Sequence, residues 1–545
     1  MKEILQQIHT MIDNLKAVCT NYGLGNTGNE YKIITETFLY KFLNDKFFYE
    51  LKKKFSRFKS KTTREIENSL TKMSAEKFDS QTVQLPPHTA ILKPTQFISH
   101  LFDRHAQKGF HKLFDDTLND ISEANKDIFS VKAGEGVSVK LFEPISNYVV
   151  QPERRDDFCA AIITKLADVN FEELFSQKYD FFAEIVEYLI KDYNKDFGKY
   201  AEYYTPHSIS RVIARILVTG GVRKICIYDP AAGSGTLILA LAHEIGENKC
   251  MLYTQDISQK SNEILRLNLI LNNLVHSLPN VIQGDTLLNP RHLNQRQNAI
   301  KTFDYIVSNP PFNMDFSETR DTLASDNYRA RFFAGVPNTP NKKKDGMAIY
   351  QLFLQHIIKS MNEHGKAAVV VPTGFLTASA GIALKIRQHI INQKILRGVV
   401  SMPSNIFANT GTNVSVVFLD ADGSDKALLV DASNFGTKQK IEGTKNQRTY
   451  LSDDEINRII ETFNQQQEVE DFSVLVSLND IEQKNFSFSA GQYFKVKIEY
   501  VDLSPEEFQE KMRGFQSDLR KFFDEGHQLE HDILQQLETL RYEKN

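Results

Sequence analysis

Short apolar runs separated by amphipathic stretches dominate the chain from about residue 225 to residue 420, and this pattern restricts the possible folds more than any other feature. In chain order the runs are KICIYDP, CMLYTQD, NVIQGD, FDYIVSNPP, KAAVVVP, ILRGVVSMP and VSVVFLD. Apolar strands that alternate with helices are typical of a parallel sheet covered by helices. The pattern therefore predicts an α/β fold. The last two runs lie so close together that they predict a hairpin instead of another crossover.

Apolar residues at helical spacing predict helices on both sides of this region. Near the start of the chain they are Ile4, Ile8, Met11, Ile12 and Leu15, followed more loosely by Phe38, Phe42, Phe47 and Leu51. This spacing predicts successive amphipathic helices, each with one apolar face. We therefore expect an all-helical N-terminal domain over residues 1–165, a sheet domain over 166–500 and a helical tail over 501–545.

The tail has its own start signal and its own apolar seam. Ser504-Pro505-Glu506-Glu507 is a capping-box pattern with proline at the first helical position. Heptad spacing then relates Phe508, Met512, Phe515, Leu519 and Phe522, and after Gly526 the same phase continues at Leu529, Ile533 and Leu540. Such a seam fits a helix that docks on a partner chain or one that lies on its own protein, and the spacing does not separate the two.

Charge and cysteine content exclude several classes of protein. The chain has 65 Lys and Arg against 69 Asp and Glu, a net charge of −4, which argues against a surface that binds nucleic acid on all sides. The basic run 52–64 is either a phosphate-contacting face or a solvated helix face, and the second is the more usual role of a charge run. The scattered cysteines predict neither a zinc site nor a disulfide framework, so no metal is expected. No apolar stretch is long enough to span a membrane, and we expect a cytoplasmic protein.

A glycine-rich turn follows the first predicted strand. The segment Asp229-Pro230-Ala231-Ala232-Gly233-Ser234-Gly235-Thr236 lies between that strand and an apolar helix. A strand, a glycine turn and a helix bring backbone N–H groups close to a ligand. A dinucleotide fingerprint would need a third glycine where Ile238 stands, which weakens that interpretation. A tight turn with no ligand is the alternative.

Three successive predicted strands each end near a carboxylate. These residues are Asp229, Asp256 and Asp285. Carboxyl ends of parallel strands meet at one edge of an open α/β sheet, which is where such sheets bind ligands. A single aspartate after a strand is usually a turn residue or a helix cap. Three at equivalent places favour a shared ligand.

The fourth predicted strand runs into Asn309-Pro310-Pro311-Phe312. The two prolines restrict the backbone, so the carbonyl groups of this loop have fixed directions. The side-chain oxygen of Asn309 and the carbonyl of Pro310 could accept both hydrogens of an exocyclic amine, while Phe312 could stack on the same planar ring. The alternative is a loop that only turns the chain.

The combination DPAAGSG followed by NPPF resembles motifs I and IV of amino-group DNA methyltransferases that use S-adenosylmethionine. Upstream, AEYYTP over 201–206 resembles motif X, which gives the gamma motif order of N6-adenine enzymes; Ala201 stands where that family usually has glycine. RLNLILNN, KAAVVVPTGFL and MPSNIFANTGTNVSVVFL resemble the regions of motifs II, VI and VIII. With its helical ends, the chain resembles the methylation (M) subunit of a type I restriction–modification system. The resemblance implies a Rossmann-like S-adenosylmethionine-dependent methyltransferase sheet.

The resemblance also implies roles for individual residues. The implied cofactor is S-adenosylmethionine, and its candidate binding residues are Tyr204, Thr205, Asp229, Ala231, Gly233, Gly235, Thr236, Asp256 and Asp285. Among these, Tyr204 and Thr205 would lie near its carboxylate, Asp256 would bind the ribose and Asp285 the adenine amine. The candidate catalytic residues, which would hold the flipped target adenine, are Asn309, Pro310, Pro311 and Phe312, with Phe407 a further candidate for stacking on the target base.

The implied partners are double-stranded DNA, a specificity (S) subunit, a second M subunit and a restriction (R) subunit. A stand-alone adenine methyltransferase would need a large recognition region after residue 420, and the tail leaves little room for one. A non-enzymatic nucleotide-binding scaffold is disfavoured by the intact NPPF segment. Protein-glutamine and RNA methyltransferases also use Asn-Pro-Pro loops, but the preceding helical domain and Phe312 favour DNA.

Overall fold

The computed structural model describes residues 2–25, 27–129, 131–132, 138–139, 141–176, 185, 188, 205–220, 224–294, 299–407, 412–440, 447–494 and 504–539. They form two compact units, Met1–Tyr493 and Phe494–Asn545. The predicted boundary between residues 165 and 166 lies inside the first unit and stays a prediction.

The N-terminal part of the first unit is helical, as the apolar spacing predicted. Helices α1 to α8 are Lys2–Asn21, Gly28–Lys54, Thr63–Thr71, Ala75–Thr82, Ile98–Phe102, Phe110–Ala124, Lys126–Phe129 and Arg155–Ala167. A two-stranded ribbon, β1 (Val131–Lys132) and β2 (Ser138–Val139), interrupts them. The predicted apolar positions are buried except Ile4, which is partly buried: Ile12 and Leu15 of α1 and Phe38 and Phe47 of α2 are each 0% exposed. Helix α2 is buried on nearly all sides, and burial of the apolar side chains of both helices drives their packing.

The remaining strands follow in the second half of the unit. Strands β3 to β15 are Ile225–Asp229, Cys250–Asp256, Val281–Gln283, Leu293–Asn294, Ala299–Ile300, Phe303–Ser308, Met361–Pro372, Leu396–Ser401, Val414–Asp420, Lys426–Asp431, Thr437–Lys440, Gln447–Tyr450 and Ser473–Ser477. Nine of them form the central sheet, in the order β15-β12-β10-β11-β9-β8-β3-β4-β5. All seven predicted runs form strands of this sheet.

Strand direction and order define where a ligand can bind. Strands β5, β4, β3, β8 and β9 are mutually parallel. From β3 the chain adds β4 and β5 on one side, then returns to add β8 and β9 on the other. Such a reversal is a topological switch point, and it opens a crevice at the carboxyl ends of the two central strands. The crevice lies between the ends of β3 and β8.

The predicted hairpin is confirmed, and the sheet continues beyond it. Strand β11 pairs antiparallel with both β10 and β9. Strand β12 then pairs parallel with β10, and β15 pairs antiparallel with β12. The runs KALLVD and SVLVS, which form β12 and β15, were not predicted as strands. The pairs β6–β7 and β13–β14 form separate ribbons.

Helices pack around the sheet. Helices α9 to α17 are His207–Leu217, Thr236–Ile245, Gln259–Leu271, Arg320–Leu323, Asp326–Arg329, Tyr350–Ser360, Gly381–Asn392, Asp453–Asn464 and Leu478–Gln483. Helix α9 packs against α10 and α16, α14 packs against α15, and α11 contacts α2 of the N-terminal part. Short 3₁₀ helices lie at Ser56–Phe58, Pro94–Gln96, Ile145–Tyr148, Pro152–Arg154, Glu172–Ser176, Glu247–Lys249, Val275–Asn280, Lys344–Gly346, Thr373–Leu376 and Ala490–Gln492.

The second unit contains one long helix, α18 (Pro505–Thr539). Its predicted start is confirmed, because the N–H of Glu507 donates to Ser504 Oγ at 3.2 Å and the Glu507 side chain accepts from the N–H of Ser504 at 2.8 Å. The helix runs through Gly526 without a break. Across the described part of the chain, no helix is both long and apolar enough to cross a membrane.

Candidate active site

The glycine turn connects β3 to α10 through two left-handed backbone conformations. Gly233 has φ +52° and Gly235 has φ +86°. Gly235 is the N-cap of α10, and a Cβ placed on it would lie 2.3 Å from Cδ1 of Leu265 in α11. Positive φ favours glycine, and a side chain at Gly235 would fit only if the end of the Leu265 side chain moved. The turn therefore lies tightly between two helices at the carboxyl end of β3.

Asp229, the last residue of β3, is 1% exposed. Its Oδ1 accepts from the N–H of Ala231 at 3.0 Å and from the hydroxyl of Ser308, at the end of β8, at 2.9 Å. Burial raises the pKa of the Asp229 carboxyl to about 7, although both hydrogen bonds favour its ionised form. Asp229 thus joins the two central strands at the switch point.

Asp256, at the end of β4, faces the same turn. Its Oδ2 accepts from the N–H of Gly233 at 2.8 Å, and its Oδ1 accepts from the N–H of Ser258 at 2.8 Å. Burial raises the pKa of this carboxyl above its ordinary value. A carboxylate has about four lone-pair sites, so each oxygen can accept a further hydrogen bond. Asp256 both orients the glycine turn and offers acceptors to a ligand.

Asp285 follows β5 and caps its own loop. Its Oδ1 accepts from the N–H of Leu287 at 2.8 Å and from that of Leu288 at 3.0 Å. The hydroxyl of the next residue, Thr286, donates to the carbonyl of Pro230 in the glycine turn at 2.7 Å. The loops after β3 and β5 are therefore joined directly.

The Asn-Pro-Pro loop begins at the end of β8. Asn309 is 8% exposed, and its Nδ2 donates to Oγ1 of Thr205 at 3.1 Å. This bond directs Oδ1, the acceptor of the amide, away from Thr205. Phe312 is half-buried, and its ring meets that of Tyr350 edge to face at 6.4 Å between centroids.

A cavity of about 410 Å³ lies at this edge of the sheet. Its lining combines residues from all four loops with apolar side chains: Pro230, Ala231, Asp256, Ile257, Ser258, Ser261, Asp285, Thr286, Leu287, Asn309, Pro311, Met314, Ile349 and Phe353. A smaller pocket beside it is lined by Thr205, Asp229, Ala231, Ala232, Ser234, Thr236, Leu237 and Asn309. Concave, mostly apolar sites with a few convergent polar groups are typical of ligand pockets.

The structure brings most predicted site residues together. Ala231, Asp256, Asp285, Asn309 and Pro311 line the larger cavity, and Thr205, Asp229 and Thr236 line the smaller pocket. Gly233, Gly235 and Pro310 lie in the connecting turns, and Phe312 lies beside the Asn-Pro-Pro loop. Tyr204 lies outside the described residues.

Phe407 is placed differently from the other predicted residues. Its side chain is 5% exposed and packs in the main core, and it is absent from the described lining of both pockets. Stacking of Phe407 on a target base stays a prediction.

Sequence reasoning missed the apolar wall of the cavity. Ile257 follows Asp256 directly, whereas Met314, Ile349 and Phe353 come from the segment after the Asn-Pro-Pro loop. Ile257 is 61% exposed, an unusual environment for an isoleucine beside a ligand-type carboxylate. In the sequence, the position directly after Asp256 could have pointed to Ile257, but no local pattern marks the other three.

The sheet order, the glycine turn and the Asn-Pro-Pro loop at the switch point define a Rossmann-like methyltransferase of the S-adenosylmethionine-dependent class. Residues 177–500 match the family model described as N-6 DNA Methylase, and the chain belongs to this family.

Curated relatives are methylase subunits of type I restriction enzymes. The chain is 27% identical over 433 residues to the MpnII methylase subunit of Mycoplasma pneumoniae, covering 76% of each chain. It is 26% identical over 457 residues to the HindI methylase subunit of Haemophilus influenzae, covering 80% of this chain and 94% of the relative.

Solved structures show the same fold. The type I methyltransferase subunit from Streptococcus thermophilus superposes with a TM-score of 0.68 at 18% identity, covering 90% of this chain and 100% of that one. A modification subunit of a type I restriction enzyme from Vibrio vulnificus superposes with a TM-score of 0.54 at 16% identity, covering 88% and 93%. The predicted fold class and family resemblance are confirmed.

Proposed function

We propose that the chain transfers the methyl group of S-adenosylmethionine to N6 of an adenine in double-stranded DNA, as the modification subunit of a type I restriction–modification complex. The observation that carries this proposal is that Asn309, bonded to Thr205, lines the same cavity as the carboxylates of Asp256 and Asp285. Membership of the N-6 DNA methylase family and the names of the relatives support it.

The lining of the cavity fits the chemistry of the proposed cofactor, because it combines carboxylate acceptors with apolar side chains. Asp256 can accept from ribose hydroxyls, and Asp285, in the lining of the same cavity, can accept from the exocyclic amine of the adenine. Ile257, Ile349 and Phe353 offer apolar contact to a planar ring. The glycine turn provides the close backbone approach that the amino-acid end of the ligand requires.

The chain's own contribution to the reaction is positioning and electrostatics. When bound, S-adenosylmethionine would supply an activated sulfonium methyl group, with the C–S bond pair staying on sulfur as S-adenosylhomocysteine forms and the methylated nitrogen releasing one proton. Asn309 Oδ1 and the Pro310 carbonyl would accept the two hydrogens of the target amine and so draw its lone pair out of conjugation with the ring, towards the methyl group. Fixed carbonyl dipoles also stabilise positive charge that develops on the nitrogen. Alignment of this kind contributes up to about 7–11 kcal/mol in favourable cases.

We propose that recognition of the DNA sequence depends on partner subunits. A target adenine must leave the duplex to reach Asn309, which costs a few kcal/mol. A net charge of −4 gives this chain little general affinity for phosphates. We infer that a separate specificity subunit selects the sequence, within an assembly that also holds a second modification subunit and a restriction subunit. We propose three domains, residues 1–165, 166–500 and 501–545, of which the middle one carries out the methyl transfer. We propose that the protein acts in the cytoplasm.

The test is Asn309→Ala. We expect methyl transfer to DNA to fall at least about 100-fold, the order lost when one preorganised polar group is removed, because the amine loses its acceptor. Binding of S-adenosylhomocysteine, measured by calorimetry, should persist. Transfer is measured with a radiolabelled methyl group, using the chain co-expressed with its neighbouring genes.

Asn313→Ala is the matched control, since Asn313 is an exposed residue of the same loop. It should leave transfer unchanged. Retained transfer by the Asn309 variant would refute the proposed role of the loop. Sequencing of methylated adenines in cells that express the chain, with and without those neighbouring genes, tests the need for a specificity subunit.

A further inference from the structure

The segment between Phe312 and helix α14 folds over the loop that carries Asp285. It forms a small hydrophobic core with that loop, separate from the main core. The buried members of this core are Leu287, Phe316, Leu323, Phe332, Met347, Ile349, Leu352 and Phe353. Leu287 belongs to the Asp285 loop, whereas Ile349 and Phe353 line the cavity. The same segment thus begins at the target-base loop and ends as a wall of the cofactor cavity.

One buried cation in this segment contacts the Asp285 loop directly. Arg331 is 7% exposed. Its Nη1 donates to the carbonyl of Thr286 at 3.4 Å, and its Nη2 donates to the carbonyl of Leu287. Its guanidinium lies over the rings of Tyr328 and Phe332, at 5.0 Å and 4.5 Å from their centroids. Both rings therefore restrict the direction in which it donates.

Tyr328 extends this contact by one residue. Its hydroxyl donates to the carbonyl of Leu288 at 2.9 Å. Two side chains, Arg331 and Tyr328, therefore hold three successive carbonyl groups of the loop.

Peptide geometry connects these carbonyls to the Asp285 carboxylate. The carbonyl of Thr286 and the N–H of Leu287 belong to one planar peptide unit, and their directions are fixed relative to each other. The carbonyl of Leu287 and the N–H of Leu288 form the next unit. Those two N–H groups donate to Oδ1 of Asp285. Arg331 thus orients the donors that orient the carboxylate.

The positive charge of Arg331 also favours its position beside the Asp285 loop. Burial lowers the pKa of its guanidinium to about 10, so the group remains cationic at neutral pH, and Asp285 is among the groups that favour the charged form. Asp285 in turn lines the cavity where the proposed function places the adenine ring.

We propose that Arg331, supported by Tyr328, is a positioning residue that holds the Asp285 loop in the conformation that binds the adenine end of the methyl donor. This inference rests on the proposed function, since it concerns the same cavity. It assigns part of the cofactor affinity to the segment that follows the target-base loop.

Arg331→Met tests the inference, because methionine fills much of the space without donating hydrogen bonds. We expect the Kd for S-adenosylhomocysteine, measured by calorimetry on the full-length chain, to rise at least about tenfold, as two bonds from a charged donor are lost. The KM for S-adenosylmethionine should rise in parallel. The kcat at saturating cofactor should stay within about twofold, because Asn309 is untouched and only binding is impaired. Arg331→Lys should recover part of the affinity.

Tyr328→Phe is a milder variant that tests the same inference if the Arg331 variant does not fold. It retains the ring beneath the guanidinium and removes only the bond to Leu288, so a several-fold rise in Kd with an unchanged Tm is expected. Arg329→Met is the matched control, since Arg329 is exposed and pairs with Asp326 at 3.7 Å, and its Kd should not change.

The outcomes separate the two proposals. If the wild-type chain does not bind S-adenosylhomocysteine, the proposed function fails and this inference fails with it. If the wild-type chain binds but the Arg331 and Tyr328 variants bind equally well, the inference alone is overturned. A fall in kcat at saturating cofactor as large as the loss of affinity would also overturn it, since that result indicates a general structural role.

Discussion

Asp229 combines nearly complete burial with a carboxyl group that titrates close to neutrality. Both of its hydrogen-bond donors, the Ala231 N–H and the Ser308 hydroxyl, bind the same oxygen, Oδ1. An aspartate in an unfolded chain has a pKa of about 3.9, whereas burial raises the pKa of Asp229 to about 7. The folded chain therefore retains this proton over a pH range in which the unfolded chain has released it.

We expect this proton to make stability depend on pH. Because the folded-state pKa is the higher one, the contribution of Asp229 is fully present below a pH of about 4 and is lost as the pH rises towards the folded-state pKa. Asp229→Asn keeps the Oδ1 acceptor and does not titrate. Urea unfolding between pH 5 and pH 8 should show the free energy of unfolding of the wild-type chain falling relative to that of the variant. Parallel curves would contradict the raised pKa.

Contacts between residues far apart in the chain are the part of the candidate site that the sequence could not predict. The resemblance implied that Thr205 lies near the cofactor carboxylate, and the structure also places its hydroxyl against Asn309, 104 residues away. No local pattern encodes such a contact, because it depends on which strands become neighbours. For Phe407, the motif predicted a residue that stacks on the target base, whereas the structure places its side chain in the main core.

Among the elements, the turn from β3 to α10 is the most tightly packed part of the site. Its Gly235 has φ +86°, and its environment would place a Cβ 2.3 Å from Leu265. Gly109 is a matched residue, because it is also a left-handed N-cap, with φ +81°, but has open space around its Cα. The pair separates backbone strain from steric overlap.

We expect Gly109→Ala to cost roughly 1–2 kcal/mol, the strain of a left-handed alanine. Gly235→Ala should cost about 1–3 kcal/mol more, because the methyl group overlaps Leu265. Denaturant unfolding gives both values. Adding Leu265→Ala to the Gly235 variant should recover part of the steric cost and none of the backbone strain. Equal destabilisation by the two single variants would show that the packing around Gly235 is loose.

Element prediction succeeded where the apolar pattern was distinct. The seven apolar runs all became strands, because a short apolar segment between turn residues is typical of a buried strand. Strands β12 and β15 were missed, since equally short runs outside the alternating region do not distinguish strand from helix.

For the basic run 52–64 the sequence left a phosphate-contacting face and a solvated helix face as alternatives, and the structure shows where its cations lie. The run spans the end of α2, a 3₁₀ helix and the start of α3, so its cations do not lie on one helix. Lys52 pairs with Glu172 at 2.6 Å and Arg64 with Asp103 at 2.7 Å, while Phe58 is buried. Part of the run is therefore occupied in holding the N-terminal helices together.

At the scale of the whole molecule, the second compact unit exposes a row of large apolar residues. Along α18 seven predicted seam positions are 41–64% exposed: Phe508, Met512, Phe515, Leu519, Phe522, Leu529 and Ile533. The eighth, Leu540, lies outside the described residues. Exposed apolar rows of this size mark interaction surfaces. The seam on this unit fits a partner chain or the chain's own first unit, and the net charge of −4 favours a partner that contributes DNA contacts.

We expect the double change Phe515→Asp and Leu519→Asp to weaken association with the specificity subunit at least about 100-fold, since burial of each large apolar side chain stabilises a contact by roughly 1.5–3 kcal/mol. Co-purification of the full-length chain with a tagged partner measures this. Ser517→Asp is the control, because Ser517 lies on the opposite side of the helix, and far-UV circular dichroism should show unchanged helix content in both. Undiminished co-purification would remove α18 from the interface.

The sequence by itself determined the class of fold, the glycine turn, the three carboxylates and the Asn-Pro-Pro loop, because each depends on residues that are neighbours in the chain. It also determined the start and the seam of the final helix. Only the tertiary structure decided that Thr205 holds Asn309, that Phe407 is buried, that β12 and β15 extend the sheet, and that Arg331 holds the Asp285 loop. These are contacts between distant segments, and their energies depend on strand order and on the packing of side chains that no local pattern records.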